Sequence, residues 1–121
     1  MRVALITCLL LPYLYYGGKD QAYHFTGRRV PLVEHLLHLF IGTTMFAGIW
    51  NAYRGRMSHF VAAVALFLVV GALDEYVYHR RLPQAESELH AKGHLALLIF
   101  VVGTLATTWL GTHHWQLSNI D

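Results

Sequence analysis

Charged residues are scarce in this chain of 121 residues, because Asp, Glu, Lys and Arg together make up 13% of it. Soluble domains usually carry about a quarter charged residues, so the composition argues against a water-soluble globule. The charge is also nearly balanced, at +2 with histidine neutral. Nucleic-acid-binding proteins concentrate basic residues in a patch, and a net charge this small does not indicate one. We therefore expect no nucleic-acid partner.

Cysteine is rarer still, since Cys8 is the only one. A single thiol excludes an internal disulfide framework and the zinc or iron–sulfur sites built from several cysteines of one chain. The sequence also lacks a phosphate-binding glycine loop and an evident Ser-His-Asp or Cys-His arrangement. Histidine, by contrast, is abundant, with nine residues against seven acids. This excess is the feature that a function has to explain.

Four long apolar segments dominate the rest of the chain. A helix needs roughly 20 residues to cross a bilayer core of about 30 Å, and the second, third and fourth segments reach that length when their flanking turns are included. The first segment is shorter and contains Pro12, which a membrane helix tolerates when its neighbours satisfy the freed carbonyl. The sequence predicts an all-α, membrane-embedded four-helix bundle, with three clear transmembrane helices and a fourth, N-terminal one. Residues 1–121 form one domain in this prediction, with helices at about 3–17, 31–53, 57–79 and 83–111.

The N-terminal segment has a second interpretation, a secretory signal peptide in which Arg2 is the positive region. No small-residue cleavage site of the A-x-A kind follows the apolar run of residues 3–18. We therefore favour a retained first helix.

The connecting segments predict an orientation. Arg54, Gly55 and Arg56 form a short basic turn without an acid, and the positive-inside rule places such a turn in the cytoplasm. Both termini then lie on the cytoplasmic side, and the polar loops 17–30 and 79–92 lie together on the outer face. We expect a multi-pass protein of a bacterial inner (cytoplasmic) membrane, in contact with lipid and with other membrane subunits.

Acids and histidines recur at a helical spacing near the predicted outer face. Residues four apart lie on one face of a helix, so each of three successive helices would direct carboxylate and imidazole groups to a common centre. The sets with this spacing are Glu34 with His38, Glu75 with His79, and Glu86 with His90 and His94.

Such groups at membrane depth are costly unless they are paired, metal-bound or hydrated. Carboxylate and imidazole without thiolate are the ligands of non-haem iron, manganese and zinc sites. The predicted cofactor is one or two metal ions, iron or zinc, held near the outer membrane face. Iron would suit an oxidase or hydroxylase, and zinc would activate water or close a structural site. The predicted ligands are Glu34, His38, Glu75, His79, Glu86, His90 and His94.

Other polar residues receive supporting roles. His24 and Glu88 are assigned to solvated loops and His35 to solvent or lipid headgroups. Asp74 precedes His79 by five residues, about 140° around a helix, and is expected to support the ligands or to face the loop.

A different class of function remains open at this point. The chain is also interpretable as a non-catalytic accessory subunit of a respiratory, photosynthetic or monooxygenase complex. Its histidines would then be structural, or His38 and His94 would ligate a haem or chlorophyll-type pigment.

Overall fold

Four α-helices make up the regular structure of the residues that the computed structural model describes, 2–26, 30–80 and 82–117. They are α1 (Arg2–Thr26), α2 (Leu32–Arg54), α3 (Met57–Val77) and α4 (Gln84–Leu117). The prediction of an all-α fold with four helices is confirmed.

Three of the described helices are long and apolar enough to cross a membrane: α2, α3 and the Gln84–Trp109 part of α4. Their most apolar windows are only 17–28% buried inside the protein, so most of this apolar surface faces outward, where a soluble protein would place polar residues. By length and composition the chain is a multi-pass membrane protein. That α1 also crosses the bilayer, as a retained helix, stays a prediction.

The first helix is longer than we expected. The sequence predicts that the first helix ends at about residue 17, where Gly17 and Gly18 follow one another, but α1 continues to Thr26 with Pro12 in its interior. Glycine inside a helix costs about 1 kcal/mol relative to alanine, and packing of α1 against the rest of the bundle outweighs that preference. The part of the predicted 17–30 loop up to Thr26 is therefore helical, whereas residues 27–29 lie outside the described residues.

The helices are arranged as two closely packed pairs, α1 with α4 and α2 with α3, and α1 also touches α2. The α1–α4 pair is antiparallel, because Leu9 near the start of α1 lies against Gly103 near the end of α4. A Cβ added at Gly103 would lie 2.7 Å from Leu9 Cδ1, so glycine permits this close approach.

The apolar core joins all four helices. Phe60 of α3 and Phe100 of α4 are fully buried at its centre, with ring centroids 6.1 Å apart in an edge-to-face arrangement. These rings belong to one cluster made of Ile6, Leu10, Met45, Ala52, Phe60, Val64, Phe67, Leu97 and Phe100.

The turn between α2 and α3 is as tight as the sequence predicted. Gly55 has φ 73° and ends α2 in the left-handed conformation, and the Arg56 N–H donates to the Asn51 carbonyl at 2.9 Å. His38 precedes this glycine by 17 residues and Asp74 follows it by 19. The hairpin therefore brings His38 and Asp74 to the same level, at the end of the bundle far from the turn.

Candidate metal centre

A cluster of five acids and five histidines occupies that end of the bundle, and every helix contributes to it. It contains Asp20 and His24 of α1, Glu34 and His38 of α2, Asp74 and Glu75 of α3, His79 just beyond α3, and Glu86, His90 and His94 of α4. Glu34 and Glu86 are fully buried, and His24 and Asp74 are 2% and 4% exposed. Ionised carboxylates at such depth require compensating partners.

Four of these residues form a first group, His24, Glu34, His38 and His79. Each offers one ligand atom, and the four atoms lie within 4.8 Å of one another. His79 Nε2 is 3.3 Å from His24 Nε2 and 3.6 Å from Glu34 Oε1. Ligand bonds of about 2.0–2.2 Å in a tetrahedral site place neighbouring ligand atoms ~3.3–3.6 Å apart. The two distances from His79 Nε2 are thus those of neighbouring ligands of one ion.

The two most buried imidazoles of this group have a defined orientation. His24 Nδ1 is 2.8 Å from the Asp20 carbonyl oxygen, and since a carbonyl only accepts, Nδ1–H is the donor and Nε2 of the neutral ring keeps its lone pair. His79 Nδ1 faces Asp74 Oδ2 at 3.4 Å and Glu75 Oε2 at 3.5 Å. Metal-bound histidines nearly always present their second nitrogen to a carbonyl or carboxylate, as His24 does, whereas His79 Nδ1 lies near two carboxylates but makes no hydrogen bond among the described residues.

Asp74 holds the third imidazole. His38 Nε2 donates to Asp74 Oδ2 at 2.9 Å, while His38 Nδ1 and Asp74 Oδ1 are buried without a hydrogen-bond partner among the described residues. Buried polar atoms are almost always satisfied in proteins. These two atoms therefore mark a place for an ion or water beside the first group.

Glu75, His90 and His94 form a second group, again with ligand atoms within 4.8 Å of one another. His90 Nε2 lies 3.0 Å from Glu75 Oε2, and His90 Nδ1 lies 2.8 Å from Asp20 Oδ2, so Asp20 orients this ring from behind. The Glu75 side chain is 50% exposed and His94 is exposed. The second group is consequently more open than the first.

The two groups adjoin each other. The His79 and His90 ring centroids are 4.6 Å apart, and Glu75 Oε2 of the second group lies 3.5 Å from His79 Nδ1 of the first. Together they form one continuous cluster.

Burial lowers the pKa of His79, and the nearby His90 and His24 lower it further, against the opposing effect of Asp74 and Glu75. A lowered pKa favours the neutral imidazole, which is the form that binds metal.

The structure brings the seven predicted ligands to one end of the bundle but divides them. Three fall in the first group (Glu34, His38, His79) and three in the second (Glu75, His90, His94). Glu86, expected in a single row with His90 and His94, is in neither group, and its Oε1 lies 3.6 Å from His24 Nδ1. The role of all seven residues as metal ligands stays a prediction.

One of our assignments was wrong. His24 was placed in a solvated loop, but α1 continues past it and buries it in the first group. The spacing contained a signal, since Asp20 and His24 are four residues apart like the other pairs. Asp74 was expected to support the ligands or to face the loop, and it does support a predicted ligand, because it accepts a hydrogen bond from His38. Since α3 ends at Val77, Asp74 also lies near His79.

Two other assignments agree with the structure in part. His35 lies outside both groups, half-buried, with its ring stacked on Phe25 at a centroid distance of 5.4 Å, and its contact with solvent or lipid headgroups stays a prediction. Glu88 is exposed as expected, but it lies on α4 and not in a loop, where it accepts a hydrogen bond from the Gln84 side chain at 3.2 Å.

Comparison of the chain with protein-family models, with curated proteins and with solved structures finds no match. The function is therefore inferred from the geometry of the cluster.

Proposed function

We propose that this protein is a membrane metalloprotein of the bacterial inner membrane that binds two divalent ions, iron or zinc, one in each group. The observation that carries the proposal is the convergence of His24, Glu34, His38 and His79, from three separate chain segments, to within 4.8 Å. Interfacial hydration does not require such convergence. A site for an ion does.

The charge of the cluster supports the same conclusion. Five carboxylates lie at this end of the bundle, and two of them, Glu34 and Glu75, belong to the ligand groups. Two divalent ions would place four positive charges among these acids. Buried ionised groups are retained where they are paired in this manner or coordinate a metal.

The two groups are suited to different roles. The first offers four protein ligands and is enclosed, which is typical of a structural or electronically tuning ion. The second offers three ligands and is exposed, which leaves a coordination position for water or substrate, as in catalytic sites. The ion in the second group would accordingly perform the chemistry, which is oxidation if the metal is iron and water activation if it is zinc.

Metal analysis of the purified protein tests the proposal. The chain is purified in detergent through an affinity tag other than polyhistidine, without chelator, and its metals are measured by mass spectrometry. We expect two ions per chain in the wild type, loss of one in His24→Ala and loss of the other in His94→Ala. His59→Ala is the matched control, because His59 is exposed at the opposite end of α3 and should leave the metal content unchanged.

Two results would reject the proposal: a wild type without stoichiometric metal, or an equal loss in the His59→Ala control. The visible spectrum of the same sample tests the alternative, because an intense Soret-type band would assign the histidines to a tetrapyrrole.

The orientation is tested with single cysteines in a Cys8→Ser background. Ser58→Cys lies next to the basic turn and Glu88→Cys lies at the cluster end, and both positions are exposed. We propose that the cluster faces the periplasm, so a membrane-impermeant maleimide should label only Glu88→Cys in intact spheroplasts. Labelling of Ser58→Cys alone would reverse the orientation.

A further inference from the structure

A cavity of about 480 Å³ adjoins the metal centre and extends from it into the apolar part of the bundle. Asp74 and His79 line one end, and Val64, Phe67, Leu97 and Val101 line the other. Asp74 and Val64 are ten residues apart on α3, about 15 Å along a helix axis. Ligand pockets in proteins have volumes of about 300–1,000 Å³ and combine a few polar groups with apolar walls in this way.

Each helix contributes one glycine to the wall of this cavity: Gly17, Gly42, Gly71 and Gly93. A Cβ added at Gly42, Gly71 or Gly93 would meet nothing within 4 Å, so these residues do not serve close helix packing as Gly103 does. Each is three or four residues, about one helical turn, from a residue of the cluster. The four glycines, one from each helix, thus leave space open next to the metal centre.

Polar atoms at the cluster end of the cavity indicate a ligand independently of the glycines. Asp74 and His79 are 4% and 5% exposed, and both line the cavity. Asp74 Oδ1 and His79 Nδ1 have no hydrogen-bond partner in the part of the chain that the structure describes. Atoms of this kind are satisfied by an ion, by water or by the head of a bound molecule.

The cavity also has a route to the surrounding lipid. Backbone contact between α3 and α4 is sparse, in contrast to the α1–α4 and α2–α3 pairs. Leu68 and Ala72 of α3 and Leu98 of α4 line the cavity and are exposed on the outside of the bundle. In a membrane this face meets acyl chains, so an apolar molecule can enter between α3 and α4 without passing through water.

We propose that the cavity binds a neutral, lipid-soluble alcohol or phenol, with its oxygen at the open second group and its apolar body along α3 and α4. The contact with the ion rests on the proposed metal function. The five carboxylates of the cluster exceed the four positive charges of two divalent ions, so the cluster stays net negative and disfavours an anionic head, which is why we infer a neutral one. The substrate of the second ion is then drawn from the bilayer and not from the aqueous phase.

Photolabelling tests this inference. The metal-loaded protein in phosphatidylcholine nanodiscs is irradiated with a long-chain primary alcohol that carries a diazirine near its tail, and labelled peptides are identified by mass spectrometry. We expect adducts at the buried residues Val64, Phe67 and Leu97, and strong competition by 1-dodecanol. Dodecanoate, which has the same chain but an anionic head, should compete weakly.

Gly71→Leu fills the cavity without removing a cluster residue and should reduce this labelling about tenfold, equivalent to about 1.4 kcal/mol. Gly42→Leu makes the same test from the opposite wall, in case the first variant does not fold. Gly18→Leu is the control, because Gly18 is exposed, and it should label like the wild type. Metal content is measured on every sample.

Two results would overturn the inference: labelling that persists in folded Gly71→Leu and Gly42→Leu, or labelling that 1-dodecanol does not reduce. In either case the probe would report only exposure to lipid. Stronger competition by dodecanoate would overturn the neutral head. The metal proposal fails separately: a wild type without metal whose labelling is still abolished by Gly71→Leu would retain the cavity and reject the centre.

Discussion

Replacement of Asp74 by asparagine separates a metal centre from a purely structural polar network. The change removes one negative charge and preserves the size of the side chain. Asp74 Oδ2 accepts a hydrogen bond from His38 Nε2 at 2.9 Å, and the amide oxygen of asparagine can accept the same bond. Hydrogen bonds to charged groups contribute about 1.5–3 kcal/mol and neutral ones about 0.5–1.5 kcal/mol. The metal-free protein should therefore lose about 1 kcal/mol of stability.

The metal-loaded protein should lose more. Carboxylates that orient metal-bound histidines typically change metal affinity 10–100-fold when they are mutated, and this factor corresponds to about 1.4–2.7 kcal/mol. Metal binding to the folded state adds to stability by mass action. The stability lost through weaker metal binding therefore adds to the stability that the metal-free protein loses. The total in the presence of metal should be about 2–4 kcal/mol.

The measurement is unfolding in mixed micelles, followed by near-ultraviolet circular dichroism with buffered free metal and with chelator. Equilibrium dialysis gives the affinity directly. Glu88→Gln is the matched control, because Glu88 is an exposed acid at the same end of the bundle and should change neither quantity. If Asp74→Asn lowers the stability equally with and without metal, and the affinity is unchanged, Asp74 belongs to a structural network and the reasoning is refuted.

Three further predictions concern the scaffold, and each is checked by the same unfolding assay together with metal content. Phe100→Ala removes a fully buried ring and should lower the free energy of unfolding by on the order of 2 kcal/mol. The cost of leaving a cavity persists in a membrane, whereas the gain from moving the ring out of water is largely absent there. Val102 is exposed, and an effect of Phe100→Ala as small as that of Val102→Ala would contradict the prediction. Gly55→Ala places a Cβ at φ 73° and should cost about 1 kcal/mol with metal content unchanged, since the turn is remote from the cluster. Gly103→Val should lower the free energy of unfolding by about 1–3 kcal/mol, because the added side chain overpacks against Leu9. Adding Leu9→Ala to this variant should restore part of the stability, and if it does not, the clash lies elsewhere.

The fold was largely predictable because its main signals are local. Continuous apolar runs predicted helices, and a glycine between two arginines predicted the tight α2–α3 turn, where Gly55 adopts φ 73°. The end of α1 was not predictable in the same way. Gly17 and Gly18 are weak helix formers, and only their tertiary context, the contact of α1 with α4, keeps the helix intact to Thr26. That context also decides whether His24 is solvated or buried.

The grouping of the cluster depends on which helices are neighbours, and helical spacing does not contain that information. Spacing does limit how many ligands one ion can take from a single helix. Glu86 and His94 are eight residues apart, which is about 12 Å along α4, whereas ligands of one ion lie within ~4 Å of each other. The row therefore cannot serve one ion as a whole, and in the structure Glu86 lies beside His24 and outside both groups, while His90 and His94 lie with Glu75. The proposal of two ions accordingly depends on two separate groups of ligand atoms drawn from different helices, which helical spacing along α4 alone does not predict.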